Sequence, residues 1–375
     1  MERERAEVEK RSTGLLDWLS TNVGRLLVSL FVPGLTFVVL WRTFIFLRDT
    51  QAPKGIVAVV AIVWGVGGVA ALFYVANLVV SQFPLRWRNR LTPFIFVGPG
   101  LAILAWYLVV PTLRTLYLSF FDASSENFVG LANYVYAFTN DAMLQAFRNN
   151  LMWLIFTTGF SIAFGLLIAV LADRTVAWFE TLIKSLIFLP MAISMVGAGV
   201  IWLFVYAFRP AGAPQIGLLN AIVTGLGLEP QAWLFLKPWN NLFLIAIAVW
   251  MQTGFAMVIL SAALKGVPEE LLEAGRIDGA NEVQIFFRII VPYIRGTIIT
   301  VATTIVLWTL KVFDIVFTMT GGNFGTEVIA NQQYTQMFRA YNYGRGSAIA
   351  IVLLLAVIPV MYYNLRQFGE QTEAF

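Results

Sequence analysis

Apolar segments long enough to cross a bilayer fall near residues 26–47, 56–83, 94–112, 151–172, 182–207, 242–264, 293–319 and 346–365. A helical span needs about 20 such residues to cover the hydrocarbon core. In that solvent backbone N–H and C=O groups must be paired within the protein, which leaves helices for apolar runs of this length. Composition agrees: 59% of the 375 residues are hydrophobic and 12% charged, with mean hydropathy +0.77. A soluble protein could not hide that much apolar surface. The expected fold is all-α and polytopic, with about eight transmembrane helices. The opening MERERAEVEKR mixes charge signs and enters a long apolar segment without a small-residue cleavage site, so no removable signal peptide is read there.

An even number of spans puts both termini on one side, and the basic residues choose it. Fifteen fall on the side of the termini, including Arg3, Arg5, Lys10, Arg11, Arg25, Arg86, Arg88, Arg90, Arg174 and Lys184. Nine fall on the other side, and Lys311 is left inside a span. The termini and the segment 265–292 are therefore expected in the cytoplasm. Several function classes drop out. The chain has no cysteine and no histidine, so it carries no disulfide, thiolate metal site, cysteine nucleophile or histidine acid–base pair. It also lacks the Gly-x-x-x-x-Gly-Lys-Ser/Thr loop that cradles phosphates. Energy from ATP would have to come through another subunit.

The most charged interior stretch is KGVPEELLEAGRIDGANEVQIFFRIIVP, Lys265–Pro292. Pro268 suits a first helical position, and Glu269 and Glu270 complement the positive end of a helix. That helix is expected to reach about Ile277 and break at Asp278-Gly279. Asn281 with Gln284 forms a reciprocal capping pair for a second helix, closed by Val291-Pro292. Ala274, Gly275, Gly279 and Ala280 leave the bend open to close approach by another surface.

These residues resemble the signature of binding-protein-dependent ABC importer permeases: E-A-A, three residues, G, nine residues, I-x-L-P. Here Glu273-Ala274-Gly275, Gly279, Ile289 and Val291-Pro292 occupy it, with five of seven defined positions identical and the spacing kept. Phe128-x-Gly130-Leu131-x-Asn133-Tyr134, and Phe313-Asp314 followed by Met319-Thr320-Gly321-Gly322, are similar to stretches of the carbohydrate permeases of that superfamily. The run from Lys311 to Phe338 looks most like α-glucoside permeases. The resemblance implies a type I importer fold. Residues 94–375 would form its six-helix core, and 1–93 a cytoplasmic segment with two extra helices, as in the larger permease of maltose-type systems. It also implies a coupling helix, with Glu273, Ala274, Gly275, Asp278, Gly279, Ile289 and Pro292 as its coupling residues. The implied partners are a second homologous permease, two ABC ATPase subunits that carry the ATP and Mg, an external solute-binding protein and an oligosaccharide. No cofactor is expected on this chain, nor any nucleic-acid partner. Membrane lipid is its solvent.

Polar residues mark a candidate pathway. Thr297, Thr300, Thr304, Trp308 and Lys311 recur at spacings of three and four on span seven, one helical face that lipid would penalise. Gln252 lies near the middle of span six with Phe255 and Ala248 on its face, and Gly254 can loosen that helix. Gln252, Thr304 and Lys311 supply hydrogen-bonding groups for hydroxyls, while Phe255 and Trp308 supply flat surfaces for a sugar ring. The resemblance places substrate contacts at these same five positions. The alternative is structural: threonines bonding their own backbone, and Lys311 pairing with Asp314 or reaching outward. Asn149, Asn150, Asn240 and Asn241 stand where spans begin and read as caps or interfacial residues. Two other functions compete with this reading. An ion-driven transporter wants a mid-membrane carboxylate, for which Asp314 is the main candidate. An intramembrane enzyme wants an acid–base pair that the chain does not offer.

Overall fold

A computed structural model describes residues 22–372, so Arg3, Arg5, Lys10, Arg11 and Trp18 lie outside the described residues. Residues 1–112 and 113–375 make two compact units. The first holds α1 (Asn22–Asp49), α2 (Lys54–Ser81) and most of α3 (Leu85–Leu118). The second holds α4 (Ala132–Thr139), α5 (Asp141–Asp173), α6 (Ala177–Ala192), α7 (Met195–Val205), α8 (Leu218–Gly225) and α9 (Asn240–Lys265). It continues with α10 (Glu269–Ile277), α11 (Glu282–Tyr293), α12 (Arg295–Leu310), α13 (Asp314–Met319), α14 (Ile329–Tyr334) and α15 (Tyr343–Thr372). Among the described residues six helices are long and apolar enough to span, and two bent pairs bring the number to eight.

The first unit shows what kind of solvent the chain needs. Almost none of its apolar surface is covered: Leu30, Val66 and Leu35 are 74%, 72% and 68% exposed. Patches of that extent are not stable in water but cost nothing in hydrocarbon. Packing inside the unit is local. The Trp64 indole N–H donates to Leu40 O at 3.0 Å, and Phe73 stacks on Phe96.

The second unit has a true core, with α9 at its centre. Trp153, Leu244, Ile247, Ala248, Met257, Leu260, Ile305 and Ile315 are fully buried. Two glycines set the helix distances. A Cβ at Gly165 would lie 2.7 Å from Ala256 Cβ and 2.8 Å from Met257 N, so only glycine lets α5 cross α9 there. A Cβ at Gly254 would lie 2.4 Å from Ile187 O. Gly254 therefore does not loosen its helix, which runs unbroken from Asn240 to Lys265; it brings α6 against α9.

Two expected straight spans are broken. Span five bends by 105° between α6 and α7. Ile193 and Ser194 take extended backbone angles there, and Ser194 Oγ caps α7 by accepting from Gly197 N at 3.1 Å. Span seven bends by 69° between α11 and α12 at Ile294, and its helix ends at Leu310 rather than near 319. Pro292 stands one residue before the end of α11 at Tyr293, so the helix closes where Val291-Pro292 is expected to close it. A π-turn over Phe286–Ile290 precedes the proline and rearranges the carbonyls that its missing N–H and ring would disturb. Pro111 follows a π-turn over Ala105–Val109 in the same way.

Candidate functional site

The bend in span five creates the site. It turns Met191, Ile193, Ser194 and Met195 toward Met251, Gln252 and Phe255 of α9 and Thr304 and Trp308 of α12. These nine residues line a cavity of about 280 Å³, and none of them is charged. Four of the five expected substrate residues thus meet in one place. The Gln252 side chain is largely buried, yet its amide bonds no other described residue, nor does the Trp308 indole N–H. Thr304 donates to Thr300 O at 2.9 Å, as the structural alternative has it, and keeps its lone pairs for an incoming donor. Thr300 likewise donates to Gly296 O. An unpaired amide and indole, with a hydroxyl that can still accept, among apolar walls suit a neutral molecule rich in hydroxyls. Lys311 is not among the lining residues. It caps the end of α12 one turn beyond Trp308, exposed, and makes no ion pair with Asp314 among the described residues. Asp314 stands in the first turn of α13, outside the spans.

The second candidate region is the segment after α9. Helix α10 ends at Ile277, Gly279 takes φ +81°, and Asn281 opens α11. The capping box is complete: Asn281 Oδ1 accepts from Gln284 N, and Gln284 Oε1 from Asn281 N, each at 2.9 Å. Pro268 stands one position before α10 and sets its entry. Gly275 is buried against Ile289, and a Cβ there would come within 2.6 Å of Ile289 Cδ1. The signature residues Gly275 and Ile289 therefore hold α10 against α11. Glu273, Ala274, Asp278, Gly279 and Pro292 remain exposed, beside Ile277 at 86% and Val283 at 66%.

Sequence reasoning missed the network at the opposite end of the bundle. The loop after α13 passes through Gly321 and Gly322 at positive φ and a short turn over Asn323–Gly325. Four asparagines grip it, Asn149 and Asn150 from the third turn of α5 and Asn240 and Asn241 from the start of α9. Asn149 Nδ2 donates to Gly325 O and Glu327 O, both at 2.8 Å, and Asn150 Oδ1 accepts from Ile329 N at 2.9 Å. Asn240 Nδ2 reaches Phe324 O at 2.9 Å and Asn241 Nδ2 reaches Gly325 O at 3.1 Å. These asparagines are buried loop clamps, and Asn149 and Asn150 cap nothing. At the centre Glu327, 8% exposed, accepts from Asn331, Gln332 and its neighbour Val328 N. Burial pushes its carboxyl above the usual range, while those donors and the charge of Arg339 pull the other way. Only glycine fits beside it at 322, where a Cβ would lie 2.6 Å from the carboxylate.

The Phe128–Tyr134 motif is likewise structural. Asn133 Nδ2 donates to Ser119 O and Phe121 O, and the Tyr134 hydroxyl meets Ser119 Oγ at 2.7 Å. In the same loop Asp122 is held at about 2, first by Asn127 and then by the N–H groups of Glu126 and Asn127.

Apolar helices of this number, a cavity walled by a bent helix pair, and an exposed two-helix segment with a reciprocal capping box have the architecture of an importer permease. The chain belongs to the family of binding-protein-dependent transport system inner membrane components, which matches residues 161–368. It is 61% identical over 276 residues to the osmoprotective compounds uptake permease protein GgtC of Synechocystis sp., covering 74% of this chain and 98% of the relative. It is 49% identical over 331 residues to the alpha-glucoside transport system permease protein AglF of Rhizobium meliloti, covering 84% and 98%. The fold matches a bacterial ABC transporter involved in the import of the acidic polysaccharide alginate, with TM-score 0.64 at 20% identity over 76% of this chain and 99% of that one. The chain is thus an inner-membrane permease component of an ABC importer, and its work is transport rather than catalysis.

Proposed function

We propose that this chain forms the sugar pathway of an ATP-driven importer and that its substrates are neutral oligosaccharides of the α-glucoside class. The observation that carries the reading is the uncharged cavity in which Gln252, Phe255, Thr304 and Trp308 converge. The names of the Rhizobium and Synechocystis relatives support it. Gln252 and Thr304 bond hydroxyls, Trp308 and Phe255 stack on ring faces, and Lys311 reaches the sugar from one turn beyond Trp308. The chain pairs with a second permease, two ATPase subunits that hold ATP and Mg, and an external binding protein. ATPase closure draws on the 268–281 helices through Glu273, Ala274, Gly275, Asp278 and Gly279, with Ile289 and Pro292 bracing them, and switches the cavity from inward-open to outward-open. Both termini and 265–292 face the cytoplasm. Residues 94–375 are the transport core, and 1–93 an addition to it.

The test is ATP turnover of the reconstituted assembly with binding protein loaded with a panel of sugars. Stimulation confined to α-glucosides is the expected result. Equal stimulation by acidic sugars, or none by any sugar, would overturn the assignment.

A further inference from the structure

At the root of the coupling segment, and sharing only Lys265 with it, lies a closed cluster of charges. Lys184 on α6 directs Nζ to Asp173 Oδ1 at 2.6 Å, to Glu180 Oε1 at 2.5 Å and to Ser261 Oγ. An ammonium has three N–H donors, and all three are used. Ser261 donates in turn to Asp173 Oδ1 at 2.8 Å, and Lys265 shares Glu180 Oε1 at 2.5 Å. Two cations and two carboxylates cancel, and they come from three helices. Asp173 ends α5, Glu180 and Lys184 stand on α6, and Ser261 and Lys265 on the last turns of α9. The side chains of Asp173, Glu180 and Lys184 are each less than a fifth exposed. Lys184 is the one ion-pair partner of Asp173 among the described residues, and Asp173 Oδ2 is buried with no partner.

The position of the cluster gives it a task. Lys265 is the last residue of α9, and α10 begins at Glu269. Arg174, next to Asp173, approaches Glu282 of α11 at 3.9 Å, and Arg276 of α10 meets the same carboxylate at 3.1 Å. The α5–α6 hairpin therefore touches the coupling segment at its entry and at its middle. At its far end α6 runs into the 191–195 elbow that walls the substrate cavity. Apolar helix contacts can slide, but sliding here would strand the mostly buried Asp173 without its cation.

We propose that Lys184 is a positioning residue for transport: it locks the α5–α6 hairpin to the root of the coupling segment, so that displacement of that segment carries the elbow of the cavity with it. This rests on the proposed docking of the segment onto an ATPase subunit, and the test separates the two. The complete assembly is reconstituted in proteoliposomes with the sugar that stimulates it most, and uptake is measured per ATP hydrolysed. Lys184→Met should lower that ratio at least tenfold, and Lys184→Arg should recover most of it. In the Lys184→Met background, Asp173→Cys and Ser261→Cys joined by a short bis-methanethiosulfonate, each cysteine thiolate displacing one methanesulfinate, should restore the ratio, because a covalent tie replaces the ionic one. A wild-type ratio in Lys184→Met, or arrest of uptake when the cysteine pair is joined, would overturn the proposal. If Lys184→Met does not assemble, the joined pair in the Lys184 background decides alone, with sustained uptake expected. Gly279→Leu is the companion arm. A loss of coupling there with none in Lys184→Met rejects the positioning role and leaves the docking, whereas intact coupling in Gly279→Leu rejects the docking itself.

Discussion

Individual side chains divide into those whose partners are helical neighbours and those whose partners are remote. Thr304 and Trp308 were legible as one face because three- and four-residue spacing needs nothing beyond the helix itself. Replacing Trp308 or Gln252 by alanine should cost about 1–3 kcal/mol of substrate interaction, or roughly tenfold or more in apparent affinity. Uptake kinetics of the assembled variants check this, and normal kinetics in both would leave these residues a packing role only. Glu327 was not legible, since its meaning depends on a loop that Asn149 and Asn241 hold from residues 84 to 178 positions away. Its raised pKa gives a second expectation with a definite sign. The folded state keeps the Glu327 proton to higher pH than the unfolded chain, so stability falls as pH rises from the ordinary glutamate value to the raised one. Glu327→Gln should remove that slope, because the Gln332 amide can turn its unpartnered Oε1 toward the new donor. Melting of the purified permease across pH 4 to 8 measures it. An unchanged slope in Glu327→Gln would place the titration elsewhere.

Helices were legible as apolar lengths, but their bends were not. A window of hydropathy sees the same apolar residues in 182–207 whether the chain runs straight or turns at Ile193-Ser194. The clue present was Pro190 followed by Ser194, a proline near a serine able to cap. That elbow supplies four of the nine residues around the cavity, so missing the bend meant missing nearly half of the wall. Coupling-segment helices were read almost to the residue, because capping is a short-range chemistry written in Asn281, Gln284 and Gly279. Close helix contact is legible only in part, since a glycine in a span does not say whether it bends or approaches. Gly254 approaches: Gly254→Ala sets a methyl group against Ile187 O and Phe188 Cα, both backbone, and the helices must part. Overpacking of this kind costs about 1–3 kcal/mol. Gly159→Ala, with open space around it, should cost nothing of the sort. We expect Gly254→Ala to lower the melting temperature and to shift the elbow enough to reduce uptake, with Gly159→Ala as the matched control. Equal melting of the two variants would remove the close-contact role of Gly254.

At the scale of the whole chain, the proposed orientation rests on where the basic residues fall. Basic residues are unevenly shared, fifteen to nine, and membrane insertion keeps the richer side in the cytoplasm. Four of the fifteen, Arg174, Lys184, Lys265 and Arg276, gather around the segment that an ATPase subunit would hold, and ATP is a cytoplasmic fuel. Residues 126 and 283 offer a direct test. Three crossings separate them: α5, the bent pair α6–α7, and α9. An odd number requires opposite faces, and both Glu126 and Val283 are exposed enough for a reagent to reach. The absence of cysteine from the sequence makes single Glu126→Cys and Val283→Cys variants clean reporters. In intact cells or right-side-out vesicles, an impermeant thiol reagent should label position 126 at once and position 283 only after the membrane is opened. Labelling of 283 from outside would invert the topology. Labelling of both from one side would mean that a bent pair enters and leaves by the same face, turning a span into a re-entrant loop. That last outcome would also move the cavity, because its elbow belongs to the bent pair between these two sites.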